Sequence, residues 1–309
     1  MTTALRPQAT ALITGAASGV GFALARLFRE RGLHLALLDN DSASLQKAKQ
    51  ILAAANSSLK TEAYAIDVSD RTAWSTVASQ VQQAFGGVDL LVLNAGKSYK
   101  AQGQSEGQKL KQWEDVEYWK RTYDTNVYGI LNGLSAILPL VTSSSSDKSP
   151  KSIILTGSKQ GITNPPGAAN PAYNSSKAAV KLIAEHLSYD LRSDPATAHI
   201  SVHLLIPGWT WTGLMGNVGP TDEKDVVNKP AGAWYPSQVA DYCARALEKG
   251  SFYIVCPDGE TDAALDQARM RWGSDDVIEG RPALSRWEAS WKDQAAKWIE
   301  EEAAKRRAS

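Results

Sequence analysis

Tyr173 and Lys177 are the residues whose types and spacing most directly indicate chemistry. They open an apolar-periodic run typical of a helix, and four residues make about one helical turn, so both side chains project from the same face. A cation beside a phenol favours the phenolate, and so it lowers the pKa of the tyrosine from its usual value of about 10. The pair therefore predicts a tyrosine that acts as an acid or base near neutral pH. Because both residues are common on helix surfaces, this interpretation needs support from the rest of the chain.

The composition excludes several other classes of function. The chain has 309 residues, and its 33 basic residues balance 33 acidic ones, so charge predicts no binding to nucleic acid. The cysteines and histidines show neither metal-ligand spacing nor a catalytic arrangement, and we expect no metal. No run approaches the roughly 18 apolar residues of a membrane span, and the N-terminus lacks a signal core. We therefore expect a soluble, cytoplasmic protein without a membrane partner.

Short apolar runs alternate with helical patterns along the chain. Strands are predicted at residues 10–14, 33–39, 62–68, 88–94, 153–156, 200–206 and 252–256, and helices include 41–55, 72–85, 123–141 and 237–249. Residues 97–120 and 143–152 are predicted to be irregular. The alternation predicts an α/β fold, a Rossmann-type doubly wound parallel sheet of about seven strands with helices on both faces. We assign residues 1–256 to this domain and residues 257–309 to a C-terminal helical extension.

Three glycines, Gly15, Gly19 and Gly21, lie between the first predicted strand and the first helix. Glycine lets the backbone turn tightly beside a pyrophosphate, and the N–H groups of a helix N-terminus bind the anion. A structural turn is the alternative, but the strand-to-helix position is the one that a dinucleotide site requires. Asp39 ends the second strand, where a carboxylate can accept both hydroxyls of a ribose and repel a 2′-phosphate; a helix N-cap is its alternative role, for which Asp41 is better placed. No Arg or Lys lies in the turn or directly after Asp39, so the sequence favours NAD over NADP.

These features, taken together, resemble the short-chain dehydrogenase/reductase (SDR) family in its non-extended branch. The resemblance covers about residues 8–256 and is carried by the Gly-x-x-x-Gly-x-Gly turn, Asp67-Val68, Asn94-Ala95-Gly96, Asn126, Ser158, Tyr173-x-x-x-Lys177 and Pro207-Gly208. It implies an NAD(P)-dependent oxidoreductase that acts on CH–OH groups and interconverts a secondary alcohol and a ketone by direct hydride transfer. It also implies a small-molecule substrate and a homodimer or homotetramer.

The resemblance assigns roles to individual residues. Ser158 would hydrogen-bond the substrate oxygen, and Tyr173 would exchange a proton with it. Lys177 would bind the nicotinamide ribose and, with the oxidised ring, depress the tyrosine pKa, while Asn126 would hold a water that links Lys177 to solvent as a proton relay. The residues expected to contact the cofactor are Gly15, Ser18, Gly19, Val20, Gly21, Asp39, Asp67, Val68, Asn94, Ala95, Gly96, Tyr173, Lys177, Pro207, Gly208, Thr210 and Thr212. Thr212 is preferred to Thr210 as the contact of the nicotinamide carboxamide.

Aromatic residues after the sixth predicted strand admit two interpretations. Trp209, Trp211, Leu214, Met215 and Trp234 favour an apolar, possibly aromatic substrate, but the rings can equally pack against the body of the protein.

The C-terminal extension carries a second aromatic pattern. Residues 285–288, Ser-Arg-Trp-Glu, resemble a capping box, and Trp287, Trp291 and Trp298 form a stripe on the helix that would follow. We expect this helix to pack on the same domain or on a neighbouring subunit.

A second class of function stays open at this level. The chain could be a dinucleotide-binding protein of the same fold that acts as a sensor or as a non-redox catalyst. Such a protein has no use for Tyr173, so the complete set of Asn, Ser, Tyr and Lys favours the redox enzyme.

Overall fold

One parallel sheet forms the centre of the protein. The computed structural model describes residues 3–103, 110–143, 149–167, 170–216, 219–259 and 261–308. The strands are β1 (Thr10–Thr14), β2 (His34–Asp39), β3 (Thr61–Ala65), β4 (Leu90–Leu93), β5 (Lys151–Thr156), β6 (Ile200–Ile206) and β7 (Tyr253–Val255). They are ordered β3-β2-β1-β4-β5-β6-β7, and every neighbouring pair is parallel. This confirms the predicted doubly wound α/β fold.

Helices cover both faces of the sheet. The described helices are α1 (Gly19–Glu30), α2 (Ser42–Ala55), α3 (Arg71–Phe85), α4 (Lys111–Glu114), α5 (Val116–Tyr123), α6 (Gly129–Thr142), α7 (Gln160–Thr163), α8 (Pro171–Ser193), α9 (Pro236–Glu248), α10 (Ala263–Ile278) and α11 (Lys292–Ala308). Because side chains alternate along a strand, Ala11 and Ile13 of β1 join the apolar layer of α1, α2 and α9, whereas Leu12 joins that of α3, α6 and α8. The sheet is thus buried on both faces, as its nearly continuous apolar strands require.

Local capping sets the starts of the early helices. The Asp41 carboxylate accepts the Ser44 N–H at 3.0 Å, and Asp70 accepts those of Thr72 and Ala73 at the start of α3. Since Asp41 caps α2, Asp39 does not serve that purpose.

The chain before α6 departs from the predicted pattern. The helix expected at residues 123–141 is already present from Val116, because the Asp115 carboxylate caps α5 by accepting the Tyr118 N–H at 2.9 Å. A π-helical turn, Asp124–Tyr128, then joins α5 to α6. Residues 97–120, expected to be irregular, therefore contain α4 and the start of α5, and residues 104–109 lie outside the described part.

The loop predicted at residues 143–152 is shorter than expected. Strand β5 begins at Lys151, which pairs with Ile200 of β6, and the buried Lys151 ammonium donates to the Val141 carbonyl at 2.7 Å. Residues 144–148 of this predicted loop lie outside the described residues.

The C-terminal extension has an aromatic core of its own. The Trp272 ring of α10 lies 5.4 Å from that of Trp298 and 6.5 Å from that of Trp291, measured between ring centroids. The predicted capping box is wrong, because α11 begins only at Lys292 and the Ser285 hydroxyl is engaged elsewhere. It accepts the Trp272 indole N–H at 2.8 Å and donates to Asp276 at 2.6 Å. Within the described ranges, no helix has both the length and the apolar character needed to cross a membrane.

Candidate active site

The carboxyl ends of β1 and β4 meet where the strand order reverses, which is where a doubly wound sheet opens a crevice. Thr14, the last residue of β1, ties the two ends together. Its hydroxyl oxygen accepts the N–H groups of Asn94 at 2.9 Å and Ala95 at 3.0 Å. The Asn94 amide donates in turn to the Thr14 carbonyl at 3.2 Å. The predicted Asn94-Ala95-Gly96 segment therefore borders this crevice.

The glycine turn packs too closely to accept side chains. Gly15 has a φ of +66° and lies against Ala95, and a Cβ on Gly21 would fall 2.0 Å from the Gly15 carbonyl oxygen. The N-cap residue Ser18 makes no side-chain cap, so its hydroxyl leaves the first N–H groups of α1 free for another acceptor. This bare helix N-terminus is a fitting cradle for the pyrophosphate of a dinucleotide.

Asp39 is held beside the glycine turn. One of its carboxylate oxygens accepts the Ala17 N–H at 3.0 Å, and the other accepts the Asp41 N–H at 3.1 Å. These two bonds fix a carboxylate at the end of β2, next to the cradle. These groups fit a dinucleotide. The N–H groups at the start of α1 can donate to its pyrophosphate, and the Asp39 carboxylate can accept hydrogen bonds from its ribose hydroxyls.

The remaining predicted contacts near the adenine side are in different environments. Val20 is buried in the first turn of α1, and Val68 is buried against Gly129 of α6. Asp67 is exposed, and its carboxylate accepts the N–H and hydroxyl of Ser69 at 2.9 and 2.8 Å. Its contact with the adenine stays a prediction.

Tyr173 and Lys177 lie one turn apart at the buried start of α8. Asn170 caps this helix by accepting the Tyr173 N–H at 3.0 Å, with Pro171 in its first turn. The Ser158 side chain lies close enough to the Tyr173 phenol to interact with it by hydrogen bonding. The Lys177 ammonium donates to the Thr156 carbonyl at 2.8 Å and lies 5.8 Å from the centroid of the Tyr173 ring. The structure thus brings Ser158, Tyr173 and Lys177 together at the start of α8.

Burial controls the protonation of this pair. It raises the pKa of the Tyr173 phenol, and the hydrogen bond from Ser158 only partly opposes that shift. It also lowers the pKa of Lys177 to about 8. Burial of the phenol therefore sets the direction of the Tyr173 pKa shift in the chain by itself. The lowering expected from Lys177 together with the oxidised nicotinamide ring stays a prediction.

Asn126 lies at the centre of the π-helical turn and is fully buried. Its side chain accepts the Lys97 N–H at 2.8 Å and donates to the Lys97 carbonyl at 2.9 Å and to the Ser176 hydroxyl at 3.0 Å. Asn126 and Lys177 also flank Gly96, whose Cβ would lie 3.3 Å from the Asn126 oxygen and 3.1 Å from the Lys177 nitrogen. The amide braces the crevice beside Lys177, and its role in a proton relay stays a prediction.

The segment after β6 contains the last predicted contacts. Gly208 leaves no room for a side chain, since its Cβ would lie 2.3 Å from an Asp258 oxygen. Thr210 is buried and its hydroxyl donates to the Gly208 carbonyl at 3.1 Å. The Thr212 side chain lies against Gly19, 3.1 Å from the position of a Cβ there. Thr212 is thus the threonine that faces the glycine turn, and Pro207 lies at the end of β6.

The aromatic residues of this segment divide between the two interpretations. Trp234 packs against the core and meets Tyr242 edge-on, with ring centroids 6.1 Å apart. Trp209 and Leu214 are 46% and 50% exposed and can meet a ligand. Trp211 is half-buried, its N–H bonded to the Trp234 carbonyl at 2.9 Å. The side chain of Met215 and residues 217–218 lie outside the described part of the chain.

Several residues that support the site were not predicted to have a role in it. Thr14 directly precedes the glycine motif and Ser176 lies between Tyr173 and Lys177, and both act through hydrogen bonds to predicted site residues. The buried Lys159 contacts Asp258 and Asp266, carboxylates that are distant in sequence. A lysine beside the predicted Ser158 resembles a surface residue until the fold is known.

Known proteins share both sequence and fold with this chain. The short chain dehydrogenase family matches residues 9–223. Dehydrogenase/reductase SDR family member 7B of Bos taurus is 30% identical over 258 residues, which are 81% of this chain and 74% of the relative. A short-chain dehydrogenase/reductase from Burkholderia phymatum, solved in complex with NAD, has a TM-score of 0.73 and 26% identity and covers 90% of this chain and 97% of its own.

A more distant structure shares the fold alone. An alcohol dehydrogenase from the archaeon Thermococcus sibiricus, complexed with 5-hydroxy-NADP, has a TM-score of 0.65 at 22% identity, with 82% of this chain and 98% of its own covered. The two solved structures thus hold NAD and an NADP-type nucleotide.

The strand order and the glycine turn define a Rossmann-type α/β protein whose crevice fits a dinucleotide. The chain belongs to the short-chain dehydrogenase/reductase family, which confirms the resemblance, and it is a dehydrogenase/reductase that acts on CH–OH groups.

Proposed function

We propose that the protein uses NAD to interconvert a secondary alcohol and a ketone, with Tyr173 as the acid and base. The observation that carries the proposal is the convergence of Ser158, Tyr173 and Lys177 at the carboxyl ends of the strands, beside the glycine turn. A bound nicotinamide would supply the hydride acceptor for oxidation and the hydride donor for reduction.

The residues of the chain would handle the proton. In the direction of reduction, the neutral Tyr173 phenol gives its proton to the substrate oxygen, which Ser158 holds in place by a hydrogen bond. The phenolate that results is stabilised by the Ser158 hydroxyl and by the nearby Lys177 ammonium. In the direction of oxidation the same phenolate removes the hydroxyl proton. Burial of Tyr173 and Lys177 keeps water from competing for these bonds.

The preference for NAD rests on Asp39. Its carboxylate is fixed beside the glycine turn, and an adenosine 2′-phosphate there would meet a negative charge. In Asp39→Asn, an acceptor for the Ala17 N–H remains but the charge is lost. We expect the ratio of NADPH to NADH affinity to rise about tenfold or more, since a hydrogen bond to a charged group is worth about 1.5–3 kcal/mol.

Asp41→Asn is the matched control for this test, because Asp41 carries the same charge two residues away and caps α2. It should leave the ratio unchanged when both cofactors are titrated by fluorescence. Equal ratios in the wild type and Asp39→Asn would count against NAD selection by Asp39.

The exposed side chains of Trp209 and Leu214 favour an apolar or aromatic substrate. The direct test follows the absorbance of reduced cofactor with a panel of aliphatic, cyclic and aromatic ketones and the matching alcohols. We expect turnover with NADH, fastest on the apolar cyclic and aromatic members. Tight NADH binding without turnover on any member would instead favour a sensor or a non-redox catalyst.

A further inference from the structure

Lys159, the residue after Ser158, is a buried lysine whose ammonium lies between two carboxylates. Its nitrogen is 2.6 Å from an oxygen of Asp266 and 3.2 Å from an oxygen of Asp258. Lys159 is 8% exposed and Asp266 is 2% exposed. Asp266 belongs to α10, in the C-terminal extension. A buried ion pair contributes little net stability, but it holds its partners in one arrangement because breaking it leaves an unpaired buried charge.

The backbone around Lys159 connects this ion pair to the candidate active site. The Lys159 carbonyl accepts the Thr163 N–H at 2.8 Å, and the Lys159 backbone N–H donates to the Pro207 carbonyl at 3.3 Å. The Gln160 N–H donates to the Ser158 hydroxyl oxygen at 3.2 Å. The Lys159 backbone is therefore part of the hydrogen-bonded turn that carries Ser158.

The extension makes a second contact with the same segment. The Arg286 guanidinium donates to the Thr163 carbonyl at 3.2 Å, and the Trp287 indole N–H donates to the Asn164 carbonyl at 2.9 Å. Lys159 directly precedes the short helix α7 and Thr163 ends it. The extension therefore contacts α7 at both ends, through Asp266 at its start and Arg286 at its end. Burial lowers the pKa of Arg286 to about 10, in keeping with an enclosed contact.

We propose that Asp266 and Lys159 are positioning residues for Ser158. Through their buried ion pair, the C-terminal extension holds the Ser158 turn so that its hydroxyl meets Tyr173. The inference rests on the proposed function in that Ser158 and Tyr173 handle the substrate oxygen. Neither Asp266 nor Lys159 is assigned any contact with substrate or cofactor.

Asp266→Asn tests this proposal, because it removes the charge and keeps the shape of the side chain. The measurements are kcat and KM with NADH and the best ketone, the Kd for NADH, and hydrogen exchange of the amides of residues 161–163. We expect kcat to fall about tenfold to a hundredfold, since a misplacement of about 1 Å costs about that much. The NADH Kd should stay within about threefold, and the amides should exchange faster.

Two further variants separate positioning from a general loss of structure. Asp266→Glu keeps the charge and should recover most of kcat. Arg307→Gln removes the exposed ion pair of Arg307 and Asp262, at 2.7 Å, which lies in the same extension and involves neither Lys159 nor Asp266. It should leave kcat and exchange at residues 161–163 unchanged. Should Asp266→Asn fail to fold, the double variant Lys159→Met/Asp266→Leu removes both charges with apolar side chains, and the same loss of kcat is expected.

Wild-type values of kcat and of exchange in Asp266→Asn, or in the double variant where that is used, would overturn the proposal. Failure of the proposed function gives a different result, because the wild type then turns over no ketone. Exchange at residues 161–163 needs no turnover. Faster exchange in Asp266→Asn than in Arg307→Gln would still support the proposal that the ion pair fixes the Ser158 turn. Equal exchange in the two variants would overturn that proposal.

Discussion

Two regions of the molecule each contain a buried lysine, and they differ in what the ammonium meets. Around Lys177 the described partner is a neutral group, the Thr156 carbonyl at 2.8 Å. Around Lys159 the partners are the carboxylates of Asp266 and Asp258. Burial without a counter-charge lowers the pKa of Lys177 to about 8, which makes its charge responsive near neutral pH. Paired with two carboxylates, Lys159 is suited to hold structure. The same residue type thus serves chemistry in one region and geometry in the other, according to its partners.

The largest effect should come from removing the Lys177 charge. In Lys177→Met we expect kcat to fall about 10²- to 10⁴-fold, the range for loss of acid–base assistance, because the Tyr173 phenolate loses the ammonium that lies 5.8 Å from its ring centroid. Lys181→Met is the control, since Lys181 lies one turn further along α8 in a half-buried pair with Glu185 at 2.7 Å. It should keep kcat within about twofold. A Lys177→Met enzyme with more than a tenth of the wild-type kcat would remove the contrast between the two regions.

A second test uses the pH dependence of stability. An unfolded lysine has a pKa of about 10.4, whereas burial lowers the pKa of folded Lys177 to about 8. Between these two pH values the unfolded chain therefore binds more protons than the folded chain. The free energy of unfolding contributed by Lys177 therefore rises with pH across this window, by about 2 kcal/mol between pH 7.5 and 9.5. Chemical denaturation of the wild type and Lys177→Met at both pH values measures it.

The buried thiols of Cys243 and Cys256 have raised pKa values, so their contribution to the free energy of unfolding falls as pH rises into the alkaline range. This contribution is the same in both proteins, and subtracting the Lys177→Met values from the wild-type values removes it. A difference that does not change with pH would mean that Lys177 is charged in the folded protein as it is in water.

The smallest effect concerns an ion pair outside both regions. Arg31 and Glu248 form a bridge of 3.0 Å between exposed side chains. In Arg31→Gln we expect the free energy of unfolding to fall by less than about 1 kcal/mol, with kcat unchanged, because water and salt screen an exposed pair. Thermal unfolding with an activity assay measures both. A loss of kcat as large as that expected in Asp266→Asn would show that burial does not distinguish Lys159.

Much of the sheet could be predicted from the sequence. Strands β1 and β6 lie at residues 10–14 and 200–206, as expected, because apolar runs flanked by Gly15 and Pro207 leave little freedom in their bounds. The spacing of Tyr173 and Lys177 likewise predicted a shared helix face, and the structure brings both to the crevice beside Ser158. Their catalytic roles stay predictions.

Tertiary contacts account for what sequence could not supply. The sequence around Ser285 resembled a helix cap, but the Ser285 hydroxyl instead forms hydrogen bonds with Trp272 and Asp276. The direction of the Tyr173 pKa depends on how deeply the phenol is buried, which spacing does not reveal. The pair of Lys159 and Asp266 joins residues far apart in the chain, and no local pattern marks either one.

Tyr173→Phe tests the central claim most directly, because it removes only the hydroxyl that is proposed to carry the proton. The account predicts an NADH Kd within about threefold of the wild type and a kcat on the best ketone lower by about 10²- to 10⁴-fold. Tight NADH binding together with a kcat above a tenth of the wild-type value would contradict it.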